Sequence, residues 1–218
     1  MGISSLEFYN ALIGNDIRFF TGVPDSILKN FCQIVDRNVK AQNHIIAANE
    51  GNAIAIAAGY YLGTGRLPLV YMQNSGFGNA INPLLSLCDP TIYAIPMLVL
   101  IGWRGEPGIK DEPQHIKQGQ VQIQLLESLG IGFEVLSEND QNIDQKIAKA
   151  IDFAWSNNSP FVLLIRKATF DPYEETSNDL GNGKITREES LETTLANIPD
   201  NSVIVSTTGK TSREIFKI

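Results

Sequence analysis

The sequence predicts an α/β fold, a doubly wound and mainly parallel sheet, followed by the start of a second α/β unit. Three observations carry that prediction. Short apolar runs alternate with amphipathic segments through residues 1–170, the pattern of strands joined by crossover helices. Residues 96–102 and 161–166 are almost wholly apolar, as expected of strands covered on both faces. From residue 171 the composition turns to Glu, Ser, Asn, Asp and Gly before periodic segments resume, which marks a linker and a new unit.

The elements follow in order. Ser4-x-x-Glu7 reads as a capping box, with Leu6, Tyr9 and Ile13 at helical spacing behind it. Residues 18–23 are a strand and turn, and 26–36 a helix whose inner stripe is Ile27, Phe31, Ile34 and Val35. A strand at 44–48 leads into a small, Ala-rich helix at 50–61 that can press closely on a sheet or a neighbouring subunit. A third strand at 67–72 and a Gly-rich turn precede a helix at 79–87, and 96–102 is the fourth strand. Residues 103–119, rich in charge, Gly and Pro, read as a long loop; loops of that length are usually functional or disordered. A helix at 120–129, a short strand at 133–135, a helix at 142–155 and a strand at 161–166 complete the first unit.

Residues 1–170 are thus expected to form one domain, 171–184 a linker, and 185–218 the truncated start of another. This last part reads as a helix at 187–196, a strand at 203–205, and a turn at 206–210 entering a helix. One strand cannot make a sheet. The second unit is therefore expected to be unfinished, either because the chain is a fragment or because a partner completes it.

The bulk numbers narrow the function classes. Of 218 residues, 43% are hydrophobic and 19% charged, an ordinary globular composition. A formal net charge of −7 opposes a nucleic-acid surface, which needs a basic stripe. No run of about 18 apolar residues exists to span a bilayer, and the first residues lack the basic and apolar regions of a secretory signal. Cys32 and Cys88 have no metal-site spacing and read as buried thiols. A cytoplasmic enzyme or binding module is expected, without nucleic-acid or membrane partners.

Several residues could carry chemistry. Glu50 stands at a strand end and a helix start; it complements the helix dipole there, but carboxyl ends of parallel strands are also where α/β proteins hold ligands. Asp25 lies near a helix N-cap, for which Asp is well suited. Gln73 to Asn79 follow a strand, and their glycines permit close backbone approach to a ligand. His115, in the long loop, is a better acid–base candidate than His44 at a strand start. Gly209-Lys210-Thr211 looks like the end of a P-loop, but Ile204 stands where the first glycine belongs, so a nucleotide-hydrolysing reading fails.

Taken together, FFTGVPDSILKNFC, IIAANEGNAIAIAAGYYLGTG, PLVYMQNSGFGNAINPLLSL, GWRGEPGIKDEPQHIKQG and STTGKTSRE resemble the thiamine-diphosphate-dependent decarboxylases, closely their phosphonopyruvate branch. The resemblance runs through nearly the whole chain. It implies a pyrimidine-binding N-terminal domain and a 2-oxo acid substrate. It also implies a homo-oligomer with the site between subunits, and decarboxylation of 3-phosphonopyruvate to phosphonoacetaldehyde and CO2. Glu50 matches the glutamate that hydrogen-bonds the cofactor's pyrimidine nitrogen. Asp25 matches a position near the reactive carbon, with His115 sharing later proton transfers. Asn74, Ser75, Gly76 and Asn79 match the turn lining the pyrimidine, and Arg104, Lys110 and Lys117 are candidates to meet an anionic substrate. The family's Gly-Asp-Gly motif for Mg²⁺ and diphosphate is absent, so the metal ligands are expected in a missing C-terminal half and the chain alone is expected to be inactive. The rival readings are the pyrimidine-binding subunit of a sulfopyruvate decarboxylase, a non-catalytic α/β binding module, and a flavodoxin-like nucleotide binder.

Overall fold

The computed structural model of the chain describes residues 2–173, 185–206 and 210–218. Contacts divide the chain into two compact units, residues 1–173 and 174–218. In the first, strands β1 (Phe20–Gly22), β2 (His44–Ile46), β3 (Leu69–Gln73), β4 (Met97–Gly102), β5 (Gly132–Leu136) and β6 (Pro160–Ile165) alternate with helices. They form one sheet in the order β2-β1-β3-β4-β6-β5, every pair parallel.

The sheet is covered on both sides because strands β4 and β6 carry no polar side chain. All six residues of β4 and all six of β6 are buried. Leu98 and Leu100 of β4 pack with α1 (Ser5–Gly14), α2 (Lys29–Asn38) and α6 (Ile143–Asn157) in one core. Val99 and Ile101 pack with α3 (Glu50–Thr64), α4 (Phe77–Pro83) and α5 (Pro113–Ser128) in the other. Alternate side chains of a strand point to opposite faces, so one strand feeds two cores.

Several local expectations need correction. In α1, Ser4 caps the helix through Glu7 N at 3.3 Å, but Leu6 is exposed and the inward stripe is Phe8, Tyr9, Ala11 and Leu12. Helix α2 begins at Lys29, with Leu28 at its N-cap; Asp25 instead closes a turn by accepting from Ile27 N at 2.9 Å. Asn74–Gly76 form a 3-10 turn running directly into α4, and a π-helical turn follows at Leu84–Cys88. The loop expected at 103–119 ends at residue 112, because Pro113 starts α5. A proline is favoured at a helix's first position, where its missing N–H costs nothing. His115 therefore lies on a helix, not in a loop.

Of the linker expected at 171–184, residues 174–184 lie outside the described residues. Asp171 belongs with the first unit: its Oδ1 accepts from Gly2 N at 2.7 Å, and Ile3 bridges Phe170. The second unit contains α7 (Arg187–Leu195), capped reciprocally by Thr186 and Glu189, and α8 (Lys210–Ile215). Arg187 pairs with Glu214 at 2.5 Å. Residues 203–205 are not in a strand; Val203 and Val205 are 89% and 91% exposed. β-branched residues favour extended backbone, but a ladder needs a neighbour. The turn expected at 206–210 falls largely outside the described residues.

Among the described residues no helix is long and apolar enough to cross a membrane. Both thiols are free and buried, which pushes Cys32 and Cys88 up to about 12.

A polar chain ties the edge of the sheet. His44 of β2 contacts Asp36 through Nδ1 at 3.1 Å and the Tyr71 hydroxyl through Nε2 at 2.7 Å. The imidazole is 8% exposed. Gly22 lies in between: a Cβ there would come within 2.6 Å of the Tyr71 ring. Burial lowers the His44 pKa, and Asp36 opposes this only in part. Because the folded value is lowered, the unfolded chain takes the proton first. The contribution of His44 to stability is then complete above its unfolded value of about 6.5 and declines as the pH falls below it. Melting temperature against pH is expected to fall less steeply below that point in His44→Gln than in the unsubstituted chain. Parallel curves would show that His44 does not govern the acid limb.

Candidate functional site

Parallel strands all place their carboxyl ends on one edge, and the candidate residues come from the segments leaving that edge. Glu50 follows β2, Asp25 follows β1, the 74–79 segment follows β3 and Arg104 follows β4. The chain passes from β1 out to β2 and back across to β3, so the crevice between the ends of β1 and β3 is a topological switch point, where open α/β sheets bind ligands.

Glu50 opens α3, with Asn49 as N-cap accepting from Asn52 N at 2.9 Å. Its Oε2 accepts from Asn79 Nδ2 at 2.8 Å. Its Oε1 has no hydrogen-bond partner among the described residues, and the side chain lies against Gly76, where a Cβ would stand 1.9 Å from Oε1. Helix α4 also presses closely on α3: a Cβ at Gly51 would meet Asn79 O at 2.8 Å. The glycines let two helix starts meet around one half-exposed carboxylate with an open acceptor.

Asp25 is 6% exposed. Its Oδ1 accepts from Gln73 Nε2 at 2.5 Å and its Oδ2 from Ile27 N at 2.9 Å. The carboxylate lies over Gly102, where a Cβ would stand 2.1 Å from Oδ2. Ser75 donates its hydroxyl to Gln73 Oε1. Asn74 is buried and engages the Arg104 backbone twice, through Nδ2 to O at 2.8 Å and Oδ1 from N at 3.0 Å. The 74–76 turn thus touches the Glu50 group through Gly76, the Asp25 group through Ser75, and the segment after β4 through Asn74.

Arg104, a candidate for an anionic substrate, is already engaged. Its guanidinium grips both oxygens of Asp111, with Nε at 2.8 Å from Oδ2, and donates to Ser26 Oγ at 2.9 Å. The Arg104 hydrogen bond holds the Asp111 carboxyl well below the usual carboxylate range, and the same contact raises Arg104. A cleft of about 300 Å³ lies beside this pair, with Ser26, Asn30, Lys167 and Phe170 also in its wall. Lys110 and Lys117 are exposed and have no ion-pair partner among the described residues. Lys167 offers the cleft a cation that the sequence did not single out.

His115 sits in the first turn of α5, against the loop after β4. Gly105, at φ 67°, touches it so closely that a Cβ would be 1.9 Å from His115 O. Trp103 Nε1 donates to Gly119 O at 2.9 Å in the same contact. The ring's Nδ1 is buried without a hydrogen-bond partner, and His115 bonds to neither Glu50 nor Asp25. The structure therefore joins Asp25 to Ser75 through Gln73 and Asn74 to Arg104, two hydrogen-bonded groups that the 74–76 turn ties into one network, with Glu50, Gly76 and Asn79 alongside. It leaves His115, Lys110 and Lys117 outside those bonds. Gln73, at the centre of the network, entered the sequence reading only as the first residue of the 73–79 run, without a role of its own; its signal was a polar side chain directly after an apolar strand.

Residues 6–126 match the family model described as "Thiamine pyrophosphate enzyme, N-terminal TPP binding domain". The chain belongs to the thiamine pyrophosphate enzymes. Among curated relatives, the phosphonopyruvate decarboxylases of Streptomyces viridochromogenes and Streptomyces hygroscopicus are 31% and 32% identical, each over 99% of this chain. The chain spans 57% of the length of each. The sulfopyruvate decarboxylase subunit alpha of Methanococcus maripaludis is 37% identical over 60% of this chain and 75% of its own length. Solved structures share the fold. Benzoylformate decarboxylase from Polynucleobacter necessarius superposes with a TM-score of 0.61 at 14% identity, over 90% of this chain and 36% of that one. The 4-hydroxybenzoylformate decarboxylase of Rhodococcus jostii RHA1 gives 0.57 at 20% identity, over 88% and 38%.

The family's cofactor fits the residues present. The open Glu50 Oε1 is an acceptor with no hydrogen-bond partner among the described residues, and the missing side chain at Gly76 leaves room for that carboxylate. Among the described residues no three His, Cys, Asp or Glu side chains cluster to hold a metal ion.

Proposed function

We propose that this chain supplies the pyrimidine-binding half of a thiamine-diphosphate- and Mg²⁺-dependent decarboxylase, which converts 3-phosphonopyruvate to phosphonoacetaldehyde and CO2. The observation that carries the reading is the Glu50 carboxylate, held by Asn79 through one oxygen and open at the other, on the sheet edge it shares with Asp25. When bound, the cofactor supplies the nucleophile and the electron sink for decarboxylation. Glu50 Oε1 holds a proton at the pyrimidine nitrogen. Backbone of the 74–76 turn and Asn79 orient the ring, while Asp25 and His115 exchange protons near the reacting carbon. Lys110 or Lys117 meets the substrate's anionic end, with Lys167 in the cleft wall adding to that charge and Arg104 contributing the N–H groups that Asp111 and Ser26 leave free. The site lies between subunits of a homo-oligomer, and the Mg²⁺ ligands come from outside residues 1–218, where Gly-Asp-Gly is absent.

Sulfopyruvate is the second reading, favoured by the 37% identity to a sulfopyruvate decarboxylase subunit. That match covers 60% of this chain, against 99% for the phosphonopyruvate decarboxylases. The wider match supports phosphonate.

Two measurements test the proposal. Calorimetry on residues 1–218 with Mg²⁺ is expected to show weak or no thiamine diphosphate binding, since a protein of net charge −7 offers the diphosphate little attraction without metal ligands. The complete enzyme is expected to turn over phosphonopyruvate with a kcat/KM at least about tenfold above that for sulfopyruvate, the difference a single mismatched polar contact readily gives. The reverse order would move the assignment to sulfopyruvate. No cofactor-dependent turnover of either acid would end it.

A further inference from the structure

Gln73 occupies the last position of β3, paired in register with Gly102 of β4. Its amide is oriented from both ends. Ser75 Oγ donates to Oε1, so the NH2 group must face the other way, where it meets Asp25 Oδ1 at 2.5 Å. Turning the amide over would set a carbonyl oxygen against the Asp25 carboxylate, so although the Ser75 hydroxyl could accept from an NH2 group, one orientation alone satisfies Asp25. Asp25 is held on its other oxygen by Ile27 N at 2.9 Å and is backed by Gly102.

We infer that Gln73 is a positioning residue for Asp25: by bridging Ser75 to the carboxylate across the crevice between β3 and β1, it locks Asp25 in one rotamer and couples it to the turn that touches Glu50. The physical case is geometric. Asp25 lies in the irregular segment between β1 and α2, where no ladder fixes it. The Ile27 contact is local, two residues along the chain, and constrains the turn more than its place relative to β3. Gln73 is the long-range tether, 48 residues away in sequence and anchored in the central sheet. Its own conformation is set by Ser75 in the same turn as Gly76, which contacts Glu50. The two candidate carboxylates are thereby referred to one rigid strand end. Sites that need sub-ångström placement depend on such supporting hydrogen bonds.

The inference rests on the proposed role of Asp25, and its test separates the two. In the isotope-labelled 218-residue chain, three-bond carbon–carbon couplings report the Asp25 χ1 angle without cofactor or turnover. A single rotamer is expected in the unsubstituted chain and rotamer averaging in Gln73→Leu, with Ser75→Ala intermediate. In the complete enzyme Gln73→Leu is expected to lower kcat about 10- to 100-fold, as misplacement of a reacting group does, with cofactor affinity changed less than about threefold because Glu50 is untouched. Gln73→Glu keeps the shape, removes the donor and places like charge beside Asp25; a structural spacer would tolerate it, whereas here it is expected to lose at least as much kcat. An Asp25 rotamer that stays single in Gln73→Leu overturns the inference whatever the enzyme does. Averaging of that rotamer with unchanged kcat, in an enzyme that Asp25→Ala inactivates, overturns its catalytic importance. An enzyme indifferent to Asp25→Ala refutes instead the proposed role of Asp25.

Discussion

Glu50→Gln is expected to leave the fold intact and reduce turnover of the complete enzyme by about 10²–10⁴-fold, the range for losing a positioned proton-transfer group. The amide keeps an oxygen that can accept from Asn79 Nδ2, now at 2.8 Å from Oε2. It cannot hold a proton at the pyrimidine nitrogen as a carboxylate does. The structural cost is small: a negative charge at a helix N-terminus is worth about 0.3–1 kcal/mol, and the side chain is half-exposed. A melting curve within a few degrees of the unsubstituted protein, together with lost turnover, is the expected pair of results. Near-normal turnover would remove Glu50 from the mechanism.

Gly76→Ala is expected to act on the same carboxylate from the other side. Gly76 has φ −87° and ψ −8°, a conformation any residue adopts, so the backbone bears no strain from the change. The whole cost is the collision of one methyl group with Glu50, whose Oε1, Cδ and Cγ would lie 1.9, 2.1 and 2.6 Å from the new carbon. Those atoms belong to a flexible side chain at a half-exposed site, so the side chain swings away and the Asn79 bond at 2.8 Å breaks. Stability is expected to fall by about 1–2 kcal/mol. Turnover is expected to fall at least about 100-fold, because a misaimed group loses most of its effect. Cofactor affinity should fall with it, which distinguishes this variant from those at Gln73. A Gly76→Ala enzyme with full activity would mean that Glu50 does not act from this position.

The alternation of apolar runs and amphipathic segments determined the parallel sheet, because buried strands and their covering helices each impose a local period that survives in the sequence. Continuous runs such as 96–102 told that both faces are covered, as the two cores confirm. Once the strands are parallel, their carboxyl ends share an edge, so Glu50, Asp25 and the 74–79 turn were bound to be near one another. Tertiary structure decided what those residues touch. Gln73 reaches Asp25 across 48 residues, and Arg104 is occupied by Asp111 and Ser26; no local period encodes such pairings. The sequence places His115 in a loop and the structure on a helix because Pro113 signals a loop and a helix start equally well, and only the packing of Gly105 and Gly119 shows which. Residues 203–205 have strand propensity yet form no strand, since propensity is local and a β-ladder is a contact between segments.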